Sequence, residues 1–152
     1  MAQADPENAG TYYANRAVYV EKVNALQAEV TSLMADIPAD KRIVITSHDA
    51  FEYFGAEYDL TFEAPQGLST ESEASASSVA RLIDQIRDEG ISAVFVESIT
   101  DNRIMQQIAN ETGATIGGTL YPGALSGSDG PAATYLDMIR HNATTLSAAL
   151  KQ

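Results

Sequence analysis

Apolar residues recur along the first quarter of the chain at Tyr19, Val23, Leu26, Val30, Leu33 and Ile37, alternately four and three positions apart. That period lays a single stripe down one face of a helix. Asp5-Pro6-Glu7 opens the segment: an aspartate suits the cap, and a proline fits the first helical position because its missing N–H has no partner there. Pro38 closes it. The pattern therefore predicts one helix over 5–37, of about thirty residues, where globular helices average about a dozen. Gly10 weakens its first turns. A coiled-coil seam is the other reading of so regular a stripe.

Beyond Pro38 the pattern alternates. Ile43 to Thr46 is a short β-branched run and reads as a strand; Ala50 to Phe54 follows as a short helix with Gly55 as its C-cap. Tyr58 to Glu63 is a second strand. A polar loop then runs through Pro65-Gln66-Gly67-Leu68 to about Ser75. Val79, Leu82, Ile83 and Ile86 mark a helix that stops at Gly90. Ser92 to Val96 is a nearly all-apolar third strand, and Asp101 caps a helix bearing Ile104, Met105 and Ile108, closed at Gly113. Thr115 to Leu120 is a fourth strand. The loop Tyr121 to Gly130 leads to Pro131 at the start of a last helix containing Tyr135, Met138, Ile139 and Leu146. Strands separated by helices pair in parallel through right-handed crossovers. The expected fold is α/β: a four-stranded parallel sheet with helices on both faces, preceded by a long linking helix. The linking helix is 5–37 and the lobe 38–152, folding as one unit. The helix is too long for so small a sheet, so part of it is expected to serve a second lobe.

Composition narrows the chemistry. The chain has 152 residues and a formal charge of -12, which argues against nucleic acid and anionic membrane surfaces and suits the attraction of cations. There is no cysteine, which removes disulfides, thiolate metal ligands and a cysteine nucleophile. No run reaches membrane-span length, and no secretory apolar region follows Met1. If the parent protein is exported, its signal peptide is expected to be absent from this chain.

His48 lies where the first strand breaks into a helical turn. That is the mouth of an α/β sheet, where ligands bind beyond the strand carboxyl ends. Read from spacing alone, His48 is either a polar residue at a helix start or a neutral imidazole ligand for a divalent metal. Ser47-His48-Asp49 is not a triad, since adjacent residues point apart and triad members must converge.

Several segments carry a family likeness: Asp5-Pro6-Glu7-Asn8, Thr46-Ser47-His48-Asp49-Ala50-Phe51 with Tyr53-Phe54, Pro65-Gln66-Gly67-Leu68-Ser69-Thr70-Glu71, Val94-Phe95-Val96-Glu97, and Ser126 to Pro131 followed by Tyr135 to Asn142. In that order and spacing the chain resembles the carboxy-terminal lobe of the metal-binding components of bacterial zinc and manganese ABC importers. These are solute-binding proteins in which a long rigid helix joins two α/β lobes. The resemblance implies a periplasmic or extracytoplasmic parent, an ABC permease as partner, and Zn2+ or Mn2+ as the transported ligand. It implies an interlobe site to which the amino-terminal lobe, absent here, brings two histidines. The carboxy-terminal lobe brings a histidine or glutamate at the position of His48 and an aspartate in the loop after the last strand. Here that loop reads Tyr121-Pro122-Gly123-Ala124-Leu125, with Gly123 where the aspartate belongs. His48 is then the metal ligand of this lobe. One imidazole alone binds weakly, because tight zinc sites have three or four protein ligands. An imidazole at this place leans toward zinc.

Other carboxylates and the second histidine have plainer readings. Asp129 is either a substitute ligand or an N-cap ahead of Pro131. Asp49 either orients the imidazole or caps the short helix. His141 is a surface or packing residue of the last helix, and Glu71 and Glu73 form a solvated acidic face. Two alternative functions stand beside the importer lobe. One is a flavodoxin-like enzyme, but no glycine-rich phosphate loop follows a strand, and Gly113 to Gly118 falls within a strand region. The other is an isolated or engineered lobe without metal-binding activity, which the leader Met1-Ala2-Gln3-Ala4 would suit. No enzyme activity is expected. Two structural expectations follow: the His48 imidazole reachable from solvent, and self-association through apolar groups around Tyr12, Tyr13 and Val18.

Overall fold

A 3-10 turn at Pro6–Asn8 leads into helix α1, Ala9–Ala35, in a computed structural model that describes residues 1–67 and 74–152. Asp5 does not cap α1 through its backbone. Its carboxylate accepts from the Asn8 side-chain amide at 2.9 Å and from the Tyr12 hydroxyl at 2.7 Å, tying down the first turn instead. From Tyr13 to Lys22 every side chain is exposed; burial begins only near Val23 and Leu26. The helix is one unbroken element of 27 residues whose carboxyl half alone packs on the lobe. Its buried face is Leu26, Val30 and Met34, so the stripe turns inward on Met34 rather than on the half-buried Leu33, and Tyr19 stays in water.

Strand β1 is Ile43–Ile45, followed by helix α2, Glu52–Tyr58, and strand β2, Thr61–Glu63. Helix α3 is Ala76–Glu89, strand β3 Ala93–Glu97, helix α4 Arg103–Thr112, strand β4 Thr115–Leu120 and helix α5 Tyr135–Leu150. All strands pair in parallel, in the order β2-β1-β3-β4. The alternation along β1 and β3 divides the core between two faces. Val44 and Phe95 meet α1, α2 and α5 on one side, with Leu26, Val30, Phe51, Leu146 and Leu150. Ile45, Val94 and Val96 meet α3 and α4 on the other, with Leu82, Ile86, Met105 and Ile108. This is the expected α/β architecture with helices on both faces. No helix among the described residues is long and apolar enough to cross a membrane.

Three expected boundaries are corrected. Gly55 is not a C-cap: α2 runs on through it to Tyr58, and the left-handed cap is Asp59, at φ 57°. Glycine is needed at 55 for packing, because a Cβ there would lie 2.5 Å from the Leu60 carbonyl oxygen of the next strand's approach. The second strand is shorter than expected, since Tyr58 belongs to that helix. The last helix starts at Tyr135, not Pro131, with Thr134 as N-cap accepting from the Asp137 N–H at 3.2 Å. Asp129 is therefore not the cap; it lies exposed on the loop between β4 and α5. Asp101 does serve the start of α4, its carboxylate accepting from the Arg103 N–H at 2.9 Å. Gly90 and Gly113 end α3 and α4 in the left-handed conformation as expected.

Arg42 joins α1 to α2. Its guanidinium donates to the carbonyls of Met34 and Ile37, at the end of α1, and of Tyr58 and Asp59, at the end of α2, over 3.0–3.2 Å. A cation is favoured at both helix ends because their last carbonyls are otherwise unpaired.

Candidate metal-binding site

The register of the two central strands builds the site. Ile45 of β1 stands beside Val94 of β3. Three residues further along each strand come His48 and Glu97, so two ionisable side chains arrive side by side at the carboxyl ends of adjacent strands. The turn after β1 is fixed by its own polar groups: the Thr46 hydroxyl donates to the His48 carbonyl at 3.1 Å. It is also paired to the chain after β2, through a bridge between His48 and Gln66 and a bond from the Asp49 N–H to the Gln66 carbonyl at 3.1 Å.

Glu97 closes the site from below. Its Oε1 accepts the His48 backbone N–H at 2.9 Å, and its Oε2 contacts Nδ1 of the same residue's ring. Glu97 is 1% exposed and His48 5%. Burial pushes the Glu97 carboxyl above its ordinary value, while the N–H of His48, the imidazole itself and the N–H of Ser47 pull it down. Nδ1 and Oε2 are sealed from solvent and have only each other; Ser47 Oγ in the same turn is also buried without a partner among the described residues. Buried polar atoms are nearly always paired, so a buried imidazole and carboxylate facing each other, beside an unpartnered hydroxyl, mark a polar spot in an apolar sheet.

The expected position of His48 holds, but its expected exposure does not. The sheet-mouth rule places the residue; it does not say which way the ring turns. Here the ring turns down onto Glu97 at the centre of the sheet and is buried with it.

The loop after β4 enters the same end of the sheet. Asn142 of α5 grips its first residue from both sides, accepting the Tyr121 N–H and donating to the Tyr121 carbonyl, each at 2.9 Å. Gly123 follows, exposed, with no atom within 4 Å of where a Cβ would stand. His141 is a packing residue, with Nε2 2.9 Å from the Thr119 carbonyl and its ring edge-on to Tyr121. Asp49 caps nothing, since α2 begins from Phe51 without a side-chain cap bond. Glu71 and Glu73 lie outside the described residues. Among the described residues no three carboxylate or imidazole groups converge as a metal cage, so neither Asp49 nor Asp129 completes one around His48. A groove of about 320 Å³ opens between α1, α2 and α5, with Val23, Gln27, Tyr53, Tyr121 and Tyr135 among its walls, but His48 does not line it.

Glu97 is the site residue that sequence reasoning left without a role. The signal was present: an ionisable residue ending the otherwise apolar run Ala93-Val94-Phe95-Val96 must find a partner if the strand is buried.

Comparison with known proteins bears on what the pair serves. The chain is 37% identical over 156 aligned residues to the manganese-binding lipoprotein MntA of Bacillus subtilis, covering 99% of this chain and 51% of that protein. It is 34% identical to the iron-binding protein YfeA of Yersinia pestis, covering 100% and 49%. It thus spans about half the length of these curated relatives. Its fold superposes on the periplasmic zinc-binding protein TroA of Treponema pallidum with a TM-score of 0.95 at 29% identity, over 99% of this chain and 56% of that one. The family described as zinc-uptake complex component A, periplasmic, matches residues 1–149, and the chain belongs to it.

Proposed function

We propose that this chain is the carboxy-terminal lobe and linking helix of an extracytoplasmic solute-binding protein that delivers a divalent cation, zinc or manganese, to an ABC permease. The cation is cargo, taken on His48, and a second lobe carried by the free end of α1 supplies the further ligands. The observation that supports this most is the buried His48–Glu97 pair at the carboxyl ends of β1 and β3. A carboxylate on one ring nitrogen is the usual arrangement behind a metal-bound imidazole, because it fixes the ring and raises the basicity of the other nitrogen. The reading assigns no reaction to the chain. The relatives named above bind manganese, iron and zinc, so the class of cargo is a divalent first-row cation. An imidazole ligand leans it toward zinc.

Each part of the lobe has a task in this reading. Glu97 orients the ligand, the Thr46 and Gln66 contacts hold its turn, and Asn142 aims the loop bearing Gly123. With Gly123 in place of a carboxylate, the lobe offers one ligand and its own affinity is weak.

Calorimetric zinc titration of the chain, Gly123→Asp and His48→Ala tests this. The unaltered chain should bind weakly, His48→Ala should bind nothing, and Gly123→Asp should bind more tightly, since open space receives the new side chain. Binding unaffected by His48→Ala would remove the assignment. Nanomolar affinity in the unaltered monomer would mean that further ligands exist.

A further inference from the structure

We propose that Glu97 is a positioning residue that holds His48 as the Nδ1–H tautomer, leaving the ring's lone pair on Nε2. The inference deepens the reading of His48 as a ligand, but its test does not use a metal.

The geometry sets one hydrogen between two facing atoms. The His48 backbone N–H donates to Oε1 of Glu97 at 2.9 Å, and a backbone N–H can only donate. Oε1 is therefore committed as an acceptor. Oε2 faces Nδ1, and both atoms are buried with no hydrogen bond to any other group of the described residues. At a pH where the carboxyl is ionised Oε2 can only accept, so there the hydrogen between them belongs to Nδ1. In a neutral ring Nε2 then carries the lone pair, and only a nitrogen with a lone pair can coordinate a cation. The same carboxylate thus holds both the backbone and the ring of one residue, fixing the turn after β1 and the ring's tautomer together.

An isosteric change makes the claim sharp. In Glu97→Gln one oxygen becomes an NH2 group, which donates and cannot accept. The amide oxygen must stay on the His48 N–H, because turning the amide over would set two donors against each other. The NH2 is forced onto Nδ1, which must accept. The hydrogen of the neutral ring moves to Nε2, where a cation would bind. Glutamine keeps the size and the packing of glutamate, so a merely space-filling role predicts no change in tautomer.

The protein carries its own reference. It has two histidines, and the other, His141, places Nε2 2.9 Å from the Thr119 carbonyl. A carbonyl only accepts, so His141 must be the opposite, Nε2–H form. Long-range proton–nitrogen NMR of the ring nitrogens, on metal-free full chain at mildly alkaline pH, distinguishes the two tautomers directly. His141→Gln assigns the signals.

The expected spectrum shows His48 with a protonated Nδ1 and bare Nε2, and His141 the reverse. Glu97→Gln should invert His48 and leave His141 as it was. Wild-type His48 with its hydrogen on Nε2 would overturn the proposal, since Glu97 would then be the protonated donor. Both nitrogens protonated would overturn it too, because an imidazolium has no lone pair. Retention of Nδ1–H in a folded Glu97→Gln would show that something other than Glu97 sets the tautomer. Should that variant fail to fold, the wild-type spectrum still decides between the first three states. A correct tautomer with no zinc binding would sink the transport reading and leave this one intact; the wrong tautomer with zinc on His48 would do the opposite.

Discussion

Removing the guanidinium of Arg42 should loosen the joint between α1 and the lobe. The side chain donates to four carbonyls, two at the end of each of α1 and α2. Hydrogen bonds to a charged group contribute about 1.5–3 kcal/mol each when buried. Arg42 is only half-buried and the Asp59 contact is exposed, so that range must be discounted. Counting the three partly buried contacts at about 1 kcal/mol each gives a loss of about 3 kcal/mol for Arg42→Ala. For a domain of this size that lowers Tm by roughly 6–12 °C. Urea unfolding followed by far-UV circular dichroism measures it, with the midpoint moving and the slope unchanged. Arg42→Lys should recover less than half. An ammonium is a point donor and cannot span two helix ends, whereas the guanidinium is a planar fork. A loss below about 1 kcal/mol, or a lysine variant as stable as wild type, would refute the claim that a shared four-carbonyl site holds the helices together.

Gly55→Ala should destabilise the fold by about 1–3 kcal/mol, because its methyl meets backbone rather than a movable side chain; an unchanged urea midpoint would show that α2 shifts freely. The first turn of α1 should loosen on acidification. Hydrogen bonds from Tyr12 and Asn8 hold the Asp5 carboxyl below its ordinary value, so their contribution is present above the ordinary carboxylate range and is lost as pH falls through the lowered one. Backbone chemical shifts of 9–13 should lose helical character there, and Tyr12→Phe should show that loss already at neutral pH. The exposed Tyr13, Val18, Tyr19 and Val20 of α1 should drive concentration-dependent self-association, reduced by Val18→Glu; a strict monomer in sedimentation at high concentration would count against it.

The elements were legible in the chain because their periods are strong. The four-three stripe, the apolar run of β3 and the glycines after α3 and α4 each answer to one local cause. The errors came where a tertiary contact competed with a local signal. Gly55 looks like a helix stop, but the approach of Leu60 is what excludes a side chain there. Asp129-Gly130-Pro131 looks like a helix start, yet Thr134 is the cap, its hydroxyl accepting the Asp137 N–H at 3.2 Å and donating to Asp137 Oδ2 at 2.6 Å. His48 was found from its place at the strand end. Its partner lies forty-nine residues away and is joined to it only by strand register, a long-range fact that no local pattern encodes.

The half of α1 that stands clear of the lobe among the described residues makes the helix a lever with one clamped end. With 27 residues it is about 40 Å long, and the arm from Ala9 to the first buried contact at Leu26 is about 25 Å. A swing of about one degree at the clamp carries the tip through about 0.4 Å, whereas protein–metal bond lengths are held to about 0.2 Å. A cation gripped jointly by this lobe and a body at the tip would therefore be a sensitive gauge of the clamp's stiffness. In that arrangement the stiffness of the clamp would rest on Arg42, whose one guanidinium ties the carboxyl end of α1 to that of α2.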